Sequence, residues 1–203
     1  MPGERFTSGL AFILAGLGIL LVTGAFEAEI VLTSGLGTPS YLGATDLVRL
    51  SAVPWGLGLL FFGYAIDHPE VLWDRVRGRR ILATFLLFAD GAIHIVAIGE
   101  HVESIVVVFF LVLAPLEVIG GFTILRASRP IVWAWLLGAL ALIGLYIASR
   151  LVVFPFVSQQ YVFGPLGLIS KTIEGLLAFA LAQELWTTSA ARRPRAARPA
   201  TQS

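Results

Sequence analysis

The chain has 203 residues, of which 57% are hydrophobic and 13% charged, with a formal net charge of +1. That balance excludes a soluble single domain, and the apolar runs reach the roughly 20 residues needed to cross a bilayer. A near-neutral charge gives no ground for a nucleic-acid partner, and the absence of cysteine removes disulfides, thiolate metal sites and cysteine nucleophiles together.

Six spans are predicted, each a helix because an isolated backbone in lipid must satisfy its own hydrogen bonds. The first, Gly9–Phe26, follows Arg5 and precedes Ala25–Ala28, a pattern shared by a retained helix and a cleaved signal. Its apolar run is longer than a usual signal core, which favours retention. Glu27–Asp46 reads as an outside loop with solvated Glu27 and Glu29. Gly35, Gly37, Pro39 and Gly43 argue against a regular element through its middle. The second span is Leu47–Ile66, and the third, Ile81–Ile98, follows a run of four arginines. A tight connection, Gly99–Glu103, leads into the fourth, Ser104–Leu125.

The fifth span, Ile131–Val153, carries small residues at Ala134, Gly138, Ala141 and Ala148, a stripe suited to close helix packing. A proline-marked turn, Pro155–Pro165, joins it to the sixth, Phe163–Leu185. The expected architecture is all-α: a six-transmembrane-helix domain over residues 1–186, built as three helical hairpins. Thr187–Ser203, rich in Arg, Pro and Ala, is expected to be a disordered basic cytoplasmic tail beside anionic lipid.

Orientation follows from the arginines, which concentrate in cytoplasmic connections of membrane proteins. With six spans, Arg5, then Arg75, Arg77, Arg79 and Arg80, then Arg126 and Arg129, then Arg192, Arg193, Arg195 and Arg198 fall on one side. The opposite side has only Arg49. Trp73, Trp133, Trp135 and Trp186 fall at the Arg-rich boundary, as interfacial anchors do. The expectation is a multi-pass protein of the cell membrane with both termini cytoplasmic.

Against that background, the ionisable residues inside the spans carry the information. Asp90 and His94 are four apart on the third span and so share a helical face. His101 continues the stripe if the helix passes Gly99, and Glu100 and Glu103 add carboxylates at the outside end. Glu117 follows Pro115 on the fourth span at about the depth of Asp90. Lys171 and Glu174 lie on the sixth span, and Arg150 near the outside end of the fifth. Charges at such depth cost roughly 2.5–3.5 kcal/mol each, so they should face the bundle interior and meet partners. Lys171 and Glu174, three apart, can neutralise each other on one helix. Arg150 can reach the outer surface beside Tyr146 and Phe154. Asp90 and Glu117 have no such simple explanation.

The stretch from His94 to Glu174 resembles a group of uncharacterised polytopic membrane proteins of high-GC bacteria. The resemblance rests on His94 followed by Glu100–His101, Phe109–Phe110, Ser149–Arg150 leading into Pro155–Phe156, and the Gly167–Glu174 helix. It implies a residue set and no activity. Separately, Asp90-x-x-x-His94 is similar to the start of the Asp/His/His copper site in a membrane subunit of copper-dependent ammonia and methane monooxygenases. In that family the second histidine follows at a longer interval than His94 to His101.

Three functions are compatible with these residues. In a proton-coupled carrier, Asp90, Glu117, Arg150, Lys171 and Glu174 form an ion path with His94 beside it. In a metal-binding membrane protein, Asp90, His94, Glu100 and His101 hold copper or another divalent transition metal, opening to the outside face. In a non-catalytic accessory subunit, the buried ions fix helix register against a second copy or a membrane-complex partner. No nucleotide-binding loop, zinc-protease helix or nucleophile motif is recognisable, so the sequence itself names no reaction.

Overall fold

A computed structural model describes residues 7–34, 44–100, 104–153 and 165–191. Among these the chain is all-helical: α1 (Ser8–Ser34), α2 (Ala44–Asp67), a one-turn α3 (Glu70–Trp73), α4 (Arg75–Glu100), α5 (Ser104–Ile124), α6 (Arg129–Leu151) and α7 (Pro165–Ala191). Stretches of four helices, Arg75–Ile98, Ile105–Ile124, Arg129–Leu151 and Leu166–Thr187, are long and apolar enough to cross a membrane. Their outward faces keep large apolar side chains uncovered. On α5, Ile105, Val108, Val112, Leu116 and Ile119 form one such stripe, the surface expected of a helix in lipid rather than in water.

The three expected hairpins form: α1 packs chiefly on α2, α4 on α5, and α6 on α7. Between hairpins, α4 is the hub, since it also packs on α7 and touches both α1 and α2. The α1–α2 pair is set by glycines at matched seven-residue intervals. A Cβ on Gly56 would come within 2.8 Å of Leu20 Cγ, one on Gly16 would run into the Gly56 carbonyl, and Gly9 and Gly63 oppose each other in the same way. Backbones this close need small residues at the crossing, as in tightly packed membrane helices.

Each helix of the hub buries one stripe with helical period. On α4 it is Ala83, Leu87, Asp90, His94 and Ala97; on α7 it is Leu166, Ser170, Glu174, Leu177 and Leu181; on α5 it is Val107, Ala114, Glu117 and Ile124. Two apolar clusters result. One joins Leu87, Ile124, Val132, Leu136 and Leu177, and the other joins Val53, Leu57, Ile93 and Leu166. The polar residues of the three stripes lie between them.

One end of the bundle is tied by polar contacts that collect the arginines. Thr7 Oγ1 donates to Asp67 Oδ2 at 2.6 Å, joining the start of α1 to the end of α2. Arg80 reaches from the start of α4 to Glu184 near the end of α7, with Nε and Nη2 at 2.9 and 2.8 Å from Oε1, and its Nη1 donates to the Leu125 carbonyl after α5. Arg79 Nη1 donates to the Gln183 carbonyl and to Thr187 Oγ1. Trp73 and Trp186 stand 83% and 80% exposed at this end, where interfacial anchors belong.

Several expectations need correction. The outside loop expected over Glu27–Asp46 is helical at both ends, because α1 continues to Ser34 and α2 starts at Ala44; residues 35–43 lie outside the described ones. Glu29 is therefore a helical residue, exposed as expected. α7 continues to Ala191, into the segment expected to be a disordered tail, and 192–203 lie outside the described residues. Trp135 is not a free anchor: its ring packs where a Cβ on Gly120 would stand. Among the described residues, the first three positions of the small-residue stripe of α6 are not packed against another helix, and Ala148 is half-buried. Ala134 and Ala141 are exposed, and nothing stands within 4 Å of a Cβ on Gly138. The face that packs is Val132, Leu136 and Ala139, which join the cluster around Leu177 and Leu181 of α7.

Candidate functional site

The helical period explains why the polar side chains meet. Asp90 and His94 are one turn apart on the buried stripe of α4, and Ser170 and Glu174 are one turn apart on that of α7, so each helix presents a polar pair to the other. Glu117 comes from α5, which packs on α4 so closely that a Cβ on Gly91 would lie 3.1 Å from the Ala114 carbonyl and 3.3 Å from Val118 Cγ2. All five side chains are buried: Asp90 is 1% exposed, His94 3%, Glu117 1%, Ser170 4% and Glu174 0%.

The contacts form one network. His94 Nδ1 lies 2.7 Å from Glu117 Oε2, and its ring stacks on Phe110 at 5.0 Å between centroids. The other ring nitrogen, Nε2, faces α7, 3.5 Å from Ser170 Oγ and 3.8 Å from Glu174 Oε1. Ser170 Oγ is also 3.2 Å from Asp90 Oδ1 and 3.2 Å from Glu174 Oε1. Lys171 Nζ is bonded to that same Glu174 oxygen.

This centre is rich in acceptors. With Nδ1–H donated to the Glu117 carboxylate, Nε2 is a lone-pair site. Asp90 Oδ1, Glu174 Oε1 and Nε2 then surround Ser170 Oγ, whose single proton can serve only one of them. Among the described residues, Glu174 Oε2 has no hydrogen-bond partner. Unmade bonds at buried polar atoms cost about 1–3 kcal/mol each and more when charged. A cation placed among these atoms removes that cost. Asp90, His94 and Glu117 each offer a donor atom, and these atoms all lie within 4.8 Å of one another. Carboxylate and imidazole donors without thiolate suit zinc, manganese, iron or copper(II).

The expected residues divide as follows. Asp90, His94, Glu117, Lys171 and Glu174 are brought together, and Lys171 pairs with Glu174 on one helix as foreseen. Arg150 has its guanidinium 4.5 Å from the centroid of the Tyr146 ring, which Lys171 Nζ also faces at 5.5 Å. Glu100 is the last residue of α4, six positions beyond His94 and so about 9 Å further along the axis; its side chain, and all of His101, lie outside the described residues. Among the described residues, the metal-compatible group of Asp90 and His94 takes its third member, Glu117, from α5. Sequence reading missed Ser170, although its four-residue spacing from Glu174 was a usable signal. It also missed Glu184, a lone acid late in an apolar helix. The chain matches no protein-family model, no curated protein and no solved structure.

Proposed function

We propose that this is an integral membrane protein that binds a divalent transition-metal ion at a buried site formed by Asp90, His94 and Glu117, with Ser170 and Glu174 beside it. The single observation that carries the reading is the convergence of the three donor atoms within 4.8 Å in a fully buried place. Charge supports it. In the empty site Lys171 answers Glu174; Asp90 and Glu117, once deprotonated, would bring two negative charges beside a neutral imidazole, the complement of a divalent cation. Glu117 serves there either as a ligand or as the acceptor that fixes the His94 ring and leaves Nε2 to the ion, as outer carboxylates do for metal-bound histidines.

We place the protein in the cell membrane with six spans and the Arg-rich end cytoplasmic. The supporting observation is depth. Asp90 is ten residues along α4 from Arg80, and Glu174 ten residues back along α7 from Glu184. Both are about 15 Å from that tie, or half of a bilayer core of about 30 Å. A bound ion would replace the water that these carboxylates lack at that depth.

The test is elemental analysis of detergent-purified protein after equal exposure to zinc, manganese and copper and equal washing. Wild type should retain close to one ion per chain, and His94→Ala and Asp90→Asn should each lose most of it while eluting as folded protein. Wild type that retains none would overturn the metal reading and leave the proton-coupled carrier and the accessory subunit.

A further inference from the structure

Lys171 is the only lysine in a chain with thirteen arginines, and it is bonded to the one Glu174 oxygen that also faces the metal-compatible cluster. That oxygen, Oε1, is 3.2 Å from Ser170 Oγ and 3.8 Å from His94 Nε2. We propose that Lys171 is an internal cation that competes with the metal: its ammonium holds Glu174 when the site is empty and is displaced from it when an ion binds. This rests on the metal reading above and adds to it a mechanism of regulation, namely that the site can fill only as Lys171 withdraws.

Three observations support the exchange. First, Glu174 is held through Oε1, by Lys171 and Ser170, while its Oε2 has no hydrogen-bond partner among the described residues, so one oxygen is left to meet an ion. Second, the ammonium keeps an aromatic neighbour if it leaves Glu174: the Tyr146 ring, which also carries the Arg150 guanidinium at 4.5 Å, has its centroid 5.5 Å from Nζ, and an aromatic face receives a cation over about that range. The ring is seated on α7 one turn before Lys171, where it occupies the space that a side chain at Gly167 would need, with Tyr146 Cε2 2.6 Å from a Cβ built there. Third, the Lys171 side chain is 17% exposed while that of Glu174 is wholly buried, so the ammonium has a freedom of movement that the carboxylate lacks.

The residue type fits as well. A lysine ammonium is a compact point charge on a flexible stem, whereas an arginine grips a carboxylate with a rigid fork. A displaceable counter-ion calls for the first. An arginine in its place would hold Glu174 too well and present too wide a group to withdraw past Tyr146.

The experiment measures zinc affinity in wild type and Lys171→Met by equilibrium dialysis in detergent. A parallel measurement follows acylation of wild type by a small amine-directed reagent, read by peptide mass, with the N-terminal amine as internal reference. The expected result is roughly 10–100-fold tighter zinc binding in the variant, the scale of a close like charge removed from a poorly screened site. Acylation of Lys171 should accelerate severalfold when zinc is added to wild type. Zinc bound by wild type with no gain in Lys171→Met and no change in acylation would overturn the competition and leave the metal site standing. Zinc bound by neither protein would overturn the metal reading itself. If Lys171→Met fails to fold, acylation of wild type decides: acceleration by zinc supports the exchange, and an unchanged or slower rate refutes it.

Discussion

Asp90, His94, Glu117, Ser170 and Glu174 stand at positions that the helical period gives to core leucines and alanines, between Leu87 and Ala97 on α4 and between Leu166 and Leu177 on α7. A polar side chain there is tolerated only if its neighbours complete it, so the site depends on the register of its helices to within a fraction of an ångström. Gly91 controls that register between α4 and α5, because a Cβ at this position already meets Ala114 and Val118 closely. Gly91→Val should therefore push the two helices apart, lengthen the His94–Glu117 contact and destabilise the protein by about 1–3 kcal/mol, the usual penalty of overpacking. A lowered thermal midpoint in detergent together with lost zinc would bear this out; a variant with native stability and full metal content would refute it. The sequence made Asp90 and Glu117 legible because carboxylates in apolar runs have no inexpensive explanation. It could not make Ser170 legible in the same way, since a serine hydroxyl can bond its own helix and needs no partner across the bundle.

At the scale of helices, sequence reading succeeded where one period repeats and failed where two helices must be compared. The hairpins and most helix limits follow from apolar runs and arginine clusters. The glycine pairs Gly9–Gly63 and Gly16–Gly56 become meaningful only once α1 and α2 lie antiparallel, and the α6 stripe misled because small residues mark a face able to pack without saying which partner takes it. Arg80 and Glu184 belong to the same class: 104 residues apart, each looks like an ordinary helix-end charge until α4 and α7 are placed side by side. Their side chains are 25% and 4% exposed, so the pair is partly buried and its carboxylate nearly wholly so. Arg80→Ala takes the guanidinium from a nearly buried carboxylate and should destabilise the fold by about 3 kcal/mol. Arg80→Met with Glu184→Met, which removes both charges and keeps the volume, should recover most of the loss. Thermal unfolding followed by circular dichroism decides it, and an Arg80→Ala variant as stable as wild type would show that the tie contributes nothing.

For the whole molecule the question is which end faces which compartment, and the two ends differ in kind. One gathers Arg75, Arg77, Arg79, Arg80, Arg126 and Arg129 with the exposed rings of Trp73 and Trp186; the other begins α5 at Ser104, across the length of the helix from Ile124. Arginine concentrates on the side that is not translocated, so on the proposed topology the first end lies in the cytoplasm and the second opens outward. Because the chain has no cysteine, a single introduced thiol reports its own position without background. Trp73→Cys, on a residue already 83% exposed, should react with a membrane-impermeant maleimide only after cells are permeabilised, and Ser104→Cys should react on intact cells. The reverse pattern would invert the protein and direct the approach to the metal site from the cytoplasm. Equal labelling of both positions from one side would contradict the crossing of the membrane between them. On the proposed topology that crossing would set Asp90, His94 and Glu117 at mid-depth, where a bound cation would have these carboxylates in place of water.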